Sequence, residues 1–140
     1  MGPPAAAFGQ TAVADQAACE RLATSLKLPS TVITAAQVVA AGQFAPPQGA
    51  AQGFGDLPAF CRVAATVAPS SDSDIKMEAV RRGYAAASTD TGHTGGSASF
   101  ALGHPEKLTD FAHRAIHEMA AQGKATTTST LPGGATSTRR

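Results

Sequence analysis

The apolar positions of this chain follow two rhythms. A helical one runs from about Asp15 to Lys27, where Ala18, Leu22 and Leu26 fall on one face, Asp15 can cap the start and Pro29 ends the run. Then come short β-branched stretches, Thr31–Thr34 and Gln37–Ala40, which suit strands. Phe44 to Pro58 holds Pro46-Pro47 and little large apolar material and reads as a loop, whereas Phe60–Ala68 reads as a strand closed by Pro69. The polar stretch Pro69–Asp74 has turn chemistry, and Ile75–Glu78 alternates as a strand of four residues. Small residues at 85–88, after Tyr84, fit a strand crowded on both faces, as in a parallel sheet covered by helices. A Gly/Thr-rich loop over Asp90–Gly96 comes next.

The strongest helical pattern begins at Pro105, with Glu106 favouring the N-terminal dipole. Leu108, Phe111, Ala112, Ala115, Ile116 and Met119 make one apolar stripe, and Gly123 is expected to stop the helix. Residues 1–14 are expected to form a disordered Ala-rich arm, and residues 125–140, with one large apolar side chain, a disordered Thr-rich tail.

Composition changes this picture in one respect. Alanine supplies 31 of the 60 hydrophobic residues, while Leu, Ile, Val and Phe together number 23, about 16% of 140. That is below the roughly 20% that accompanies confident globular folding. Yet 11 basic and 10 acidic residues nearly cancel, so charge gives no reason to stay unfolded. The thin core points to a piece of something larger. A net charge of +1 with no basic stripe excludes nucleic acid as a partner, and no apolar run approaches the ~20 residues of a membrane span. The start, Met1 to Phe8, lacks the basic n-region and long apolar h-region of an intact signal peptide, although its alanines hint at export.

Candidate chemistry is sparse. Cys19 and Cys61 are the only cysteines; counting alone leaves open a disulfide closing a long loop or two independent buried thiols. His113 and His117 share a helical face and His104 lies just before it, a possible metal arrangement, but Arg114 follows His113 where a zinc protease has Glu, and neither His lies on the apolar stripe. A solvated or backbone-bonded pair is the expectation. Gly92–Gly96 fails the phosphate-loop spacing, since no Lys follows its glycines before Lys107. Its polar strand end, Ser88–His93, is nevertheless where α/β sheets place their sites. The nearest approach to a Gly-x-Ser-x-Gly turn is Gly95-Gly96-Ser97-Ala98-Ser99, with Ser in place of the last Gly. No catalytic, cofactor-binding or metal-ligating residue is assigned.

Three stretches together resemble the tannase and feruloyl esterase family, which includes the hydrolases of mono(2-hydroxyethyl) terephthalate. They are Cys19-Glu20 with Leu22, Leu28-Pro29 and Val32–Thr34; Leu57–Val63 leading to Pro69-Ser70 and Asp74–Glu78; and Arg82–Tyr84 through Ser88–His93 and Gly103–Lys107 to Asp110-Phe111, Arg114-Ala115 and His117-Glu118. The resemblance covers about residues 15–124. It implies secreted or periplasmic serine esterases of the α/β-hydrolase fold, with a lid, a Ser–His–Asp triad, no cofactor, and small esters of aromatic acids as substrates. It also implies that Cys19 and Cys61 form a disulfide.

The departures from the family are as informative. Glu78 runs directly into Ala79-Val80-Arg81-Arg82-Gly83, where the family has several tens of residues including a Gly-Asn-Gly-Gly loop for the oxyanion. After Lys124 the Thr-rich tail stands where the family has its Cys-Ser-x-Gly-Gly nucleophile turn. The expectation is an incomplete α/β-hydrolase fragment: a short N-terminal helix, a few strands and one β-loop-α unit, interrupted at 78/79 and inactive alone. The alternative is a small disulfide-tied binding or structural module without catalysis.

Overall fold

A computed structural model describes residues 16–46, 53–82 and 84–129. Helix α1 (Gln16–Ser25) is followed by strands β1 (Thr31–Val39), β2 (Phe60–Val67), β3 (Ile75–Arg82) and β4 (Tyr84–Thr89), a 3-10 turn at Ala98–Ala101, helix α2 (Pro105–Thr109), one π-helical turn (Asp110–Arg114) and helix α3 (Ala115–Ser129). The four strands form one sheet in the order β1-β2-β3-β4, and every pairing is antiparallel.

Pleating sends alternate residues to opposite faces, and the sequence exploits this in β2 and β3. Val67 stands opposite Ile75, Ala65 opposite Met77 and Val63 opposite Ala79, and all six are buried. Val67, Ile75, Ala65, Met77 and Ala115 of α3 form the core cluster, with Ile33 packed against it. Completely burying a Val or Ile contributes roughly 1.5–3 kcal/mol. On the other face Glu78 forms a two-point ion pair with Arg62, which stands one diagonal position away across β2 and β3.

Helix α1 packs on β1 and β2. It has ten residues, fewer than an isolated helix needs, so its buried side chains Cys19 and Leu22, with Leu26 just beyond, must hold it. Cys19 is bonded to Cys61 of β2, with Cα atoms 5.7 Å apart across 42 residues of sequence. The pairing implied by resemblance is the one the fold makes.

Several expectations are corrected. Thr31–Thr34 and Gln37–Ala40 are one strand, β1; a register shift between Ile33 and Ala35 breaks the alternation and makes one strand read as two. Ile75–Glu78 continues to Arg82 and pairs with β4, Arg82 lying opposite Tyr84. The small residues of β4 do not mark a parallel sheet covered on both faces. One face lies under α3, where a Cβ built on Gly123 would come within 3.1 Å of the Ala87 methyl, while residues 86–88 remain exposed. Gly123 therefore serves close helix–sheet packing, and the helix runs past it to Ser129. Thr126, Thr127 and Thr128 donate their hydroxyl protons to the carbonyls four residues earlier. The tail expected to be disordered is thus helical over residues 125–129. The arm at 1–14 and residues 130–140 lie outside the described residues.

Pro105 opens its helix as expected, but of the apolar stripe Ala115 alone joins the core cluster on the sheet. The π turn adds a residue and rotates the helix beyond it. Asp110, Ala115, Gln122 and Thr126 are buried, while Leu108, Phe111 and Ile116 remain 55%, 47% and 51% exposed.

Candidate functional site

The polar strand end at β4 is built by its own side chains. Asp90 Oδ1 accepts hydrogen bonds from the backbone N–H of Gly92 at 2.8 Å and of Lys76 at 3.0 Å. Thr89 donates its hydroxyl to the Lys76 carbonyl at 2.8 Å. These bonds clamp the end of β4 to the start of β3 and let the chain turn through two left-handed residues, Thr91 (φ 59°) and Gly92 (φ 81°). A β-branched residue in that region costs of order 1–3 kcal/mol, so the surrounding bonds impose the conformation.

The turn delivers His93 into an aromatic cluster. Its ring stacks on Phe100 at 4.2 Å and 19° and meets Phe111 edge-on at 5.0 Å and 80°. Thr91 donates its hydroxyl to the Asp90 carbonyl at 2.6 Å and lies 3.2 Å from His93 Nδ1.

Beside this turn an open cleft of about 350 Å³ is lined by Asp74, Lys76, His93, Phe100, His104 and Lys107, among others. Lys76 pairs with Asp74 at 2.5 Å, and His104 Nδ1 lies 3.0 Å from both Asp72 carboxylate oxygens.

Beneath the turn lies a charged network that apolar periodicity does not reveal. Asp110 is fully buried and accepts from Arg114 Nε at 2.5 Å. Arg114 also reaches the Glu106 carboxylate at 2.7 Å, the Glu106 carbonyl at 3.1 Å and Ser73 Oγ at 3.2 Å. The hydrogen bond to Asp110 is the largest cause that holds the guanidinium above arginine's ordinary value; burial opposes it, and the Glu106 hydrogen bond and the two carboxylate charges add to the rise. Among the described residues Asp110 Oδ2 has no hydrogen-bond partner. The carboxyl packs against Gly92, where a Cβ would stand 3.3 Å from the Asp110 Cβ and 3.5 Å from Ile75 Cγ1. The network ties the π turn to the β4 turn and to the β2–β3 loop. Its signal in the sequence is Glu106, Asp110 and Arg114 at four-residue spacing.

The histidines considered for a metal are not assembled. His104 faces Asp72, His113 donates from Nδ1 to the Thr109 carbonyl at 3.0 Å, and His117 is exposed on the helix. Among the described residues no group of three or more His, Cys, Asp or Glu is placed to hold a metal ion. Ser97 and Ser99 bond each other at 3.1 Å. Among the described residues no serine–imidazole–carboxylate relay is formed: the His104–Asp72 dyad has no serine on it, and the hydroxyl at His93 is that of Thr91.

Similarity to solved structures defines the class. The chain matches feruloyl esterase B from Aspergillus oryzae with a TM-score of 0.72 and 25% identity, over 86% of this chain and 30% of that one. A second Aspergillus oryzae esterase, 24% identical, shares the fold at a TM-score of 0.74. The described helices and antiparallel strands thus have the arrangement found in part of these esterases, an α/β fold. The tannase and feruloyl esterase family model matches residues 51–137, and the chain belongs to that family.

An uncharacterized esterase of Xanthomonas campestris pv. campestris is 38% identical over 148 aligned positions, covering 82% of this chain and 25% of the relative. A probable feruloyl esterase B-1 of Aspergillus terreus is 35% identical over 95 positions, 46% of this chain and 18% of the relative. The chain therefore spans about a quarter or less of these relatives. The alignments are also longer than the residues they use. Since 82% of 140 residues is about 115, about 33 of the 148 positions face no residue here. For the second relative 46% is about 64 residues, leaving about 31 of 95 positions unmatched.

Proposed function

We propose that residues 15–124 are a scaffold portion of a serine carboxylic-ester hydrolase acting on aromatic-acid esters, that a segment is missing between Glu78 and Ala79, and that these 140 residues hydrolyse no ester themselves. The observation that carries this reading is the surplus of about 33 and about 31 aligned positions in two relatives. A single internal loss of that size accounts for both, and it is the size expected where the family places its oxyanion loop.

The chemistry rests on the residues present. The 140 residues contain neither a Gly-x-Ser-x-Gly nor a Cys-Ser-x-Gly-Gly turn, and no Gly-Asn-Gly-Gly loop. Without an activated nucleophile and preorganised N–H donors for the oxyanion, acyl transfer loses the terms that supply most of its rate. No catalytic, cofactor-binding or metal-ligating residue is assigned in this chain. What it supplies is support: the disulfide fixes α1, and the Asp110–Arg114 network packs under Gly92 of the β4 turn. The disulfide also favours an oxidising compartment, secreted or periplasmic. The small-module alternative draws on the sheet's own closed core.

The test is turnover of methyl ferulate and methyl gallate by the purified chain and by a version carrying the unmatched segment of the Xanthomonas relative between Glu78 and Ala79. No turnover is expected from the chain as it stands, and a higher melting temperature is expected with the segment restored. Inhibitor-sensitive turnover by the unmodified chain, or a segment that lowers the melting temperature, overturns the proposal.

A further inference from the structure

Leu108, Phe111 and Ile116 stand about half-exposed along α2, the π turn and α3, and Leu102, just before α2, is 77% exposed. The π turn sets them in a row. Its backbone bond from the Ala115 N–H to the Asp110 carbonyl spans five residues, so Phe111 and Ile116 fall on one side as residues four apart do in an α-helix. The helix cannot roll to bury them, because its inward side is taken. Asp110 is held there by Arg114, Ala115 belongs to the core cluster, and Gly123 lies against Ala87 of β4. At its start the row joins the aromatic cluster, where Phe111 meets Phe100 at 5.6 Å and His93 at 5.0 Å. Single apolar side chains on a surface are ordinary, but a row of large ones marks a contact.

We propose that this row is the seat of the remainder of the esterase: the part that the relatives have beyond their match to this chain packs across Leu108, Phe111 and Ile116. The length outside the match favours that occupant. This chain covers 25% of the Xanthomonas relative and 30% of feruloyl esterase B from Aspergillus oryzae, so about three quarters of the one and about 70% of the other lie beyond it. The shortage of large apolar residues points the same way. Leu, Ile, Val and Phe number only 23 in 140 residues, and the row keeps three of them outside the core. A piece seated there also covers Phe111, and with it one wall of the cluster that holds His93 beside the β4 turn.

The experiment compares melting temperatures of the oxidised 140-residue chain and of a chimera. In the chimera this chain, carrying the unmatched segment between Glu78 and Ala79, replaces the matched quarter of the Xanthomonas relative. Ile116→Lys puts a cation where water reaches it in the chain alone and where the remainder buries it in the chimera. It is expected to shift the melting temperature of the chain by less than about 2 °C and to lower that of the chimera by at least about 5 °C. Leu108→Lys is expected to do the same, and Ile116→Leu to be neutral in both. A chimera indifferent to both cations, a chain that loses as much as the chimera, or a chimera that does not fold with the natural row overturns the proposal. So does a melting temperature of the chain alone that rises with concentration and loses that rise in Ile116→Lys, because a second copy then occupies the row. The seat rests on the reading of this chain as part of an esterase; that reading fails on turnover by the unmodified chain, the seat on these melting temperatures.

Discussion

Removing the Cys19–Cys61 bond is the most informative perturbation of this fold. The bond closes 42 residues and joins a ten-residue helix to the second strand. In the loop-entropy model, cross-linking over that separation removes denatured-state freedom equivalent to about 4 kcal/mol at 25 °C. A domain of this size has a total stability of only about 5–15 kcal/mol. Helix α1 has little else to hold it than Leu22 and Leu26, so it should be the first element lost. The measurement is equilibrium urea unfolding of the oxidised protein and of the Cys19→Ala/Cys61→Ala double variant, followed by far-UV circular dichroism at one low protein concentration. The expected loss is about 3–4 kcal/mol, with a smaller helical signal in the variant even before denaturant is added. A loss below about 1 kcal/mol with the slope unchanged would refute the reasoning, because the bond would then constrain a denatured state already compact without it.

The charged network beneath the β4 turn gives three further predictions. Asp110→Ala removes the buried partner of Arg114, which keeps Glu106, and should cost about 2–3 kcal/mol in the same unfolding assay. Gly92→Ala sets a methyl against Asp110 and Ile75 at a φ of 81° and should cost about 1–3 kcal/mol. Arg114→Lys loses the branched set of bonds to Asp110, Glu106 and Ser73. Because the Arg114 pKa is raised by folding, its contribution is complete below arginine's ordinary value and fades only as pH rises beyond that. The penalty of Arg114→Lys relative to wild type should therefore be the same at about pH 6 and about pH 9.

The elements are legible where one rhythm runs uninterrupted. Helix α1, strand β2 and the start at Pro105 all lie where periodicity and proline place them. Legibility fails where one residue is added to a repeat. The bulge in β1 moves the alternation from one face to the other, so a single strand looks like two. The π turn over Asp110–Arg114 shifts the phase of the helix, Leu108, Phe111 and Ile116 stay exposed, and a charge network takes the inward place that apolar counting gives them. Small residues are ambiguous in a different way. A residue such as Ala87 fits beneath a close helix as well as between two layers, and the approach of Gly123 distinguishes the cases. The family is legible because its motifs survive in order, from Cys19 to Glu118. The candidate site is half legible: the turn after β4 stands out in the sequence, but the carboxylate that supports it is hidden in a helix with an amphipathic pattern.

The central claim is that these residues carry an esterase's support without its nucleophile. Intact-protein mass after incubation with an excess of a fluorophosphonate, which labels activated serines only, tests it most directly. The predicted result is a chain unmodified at 14.0 kDa. A stoichiometric adduct on one serine, blocked by prior incubation with methyl ferulate, would contradict it.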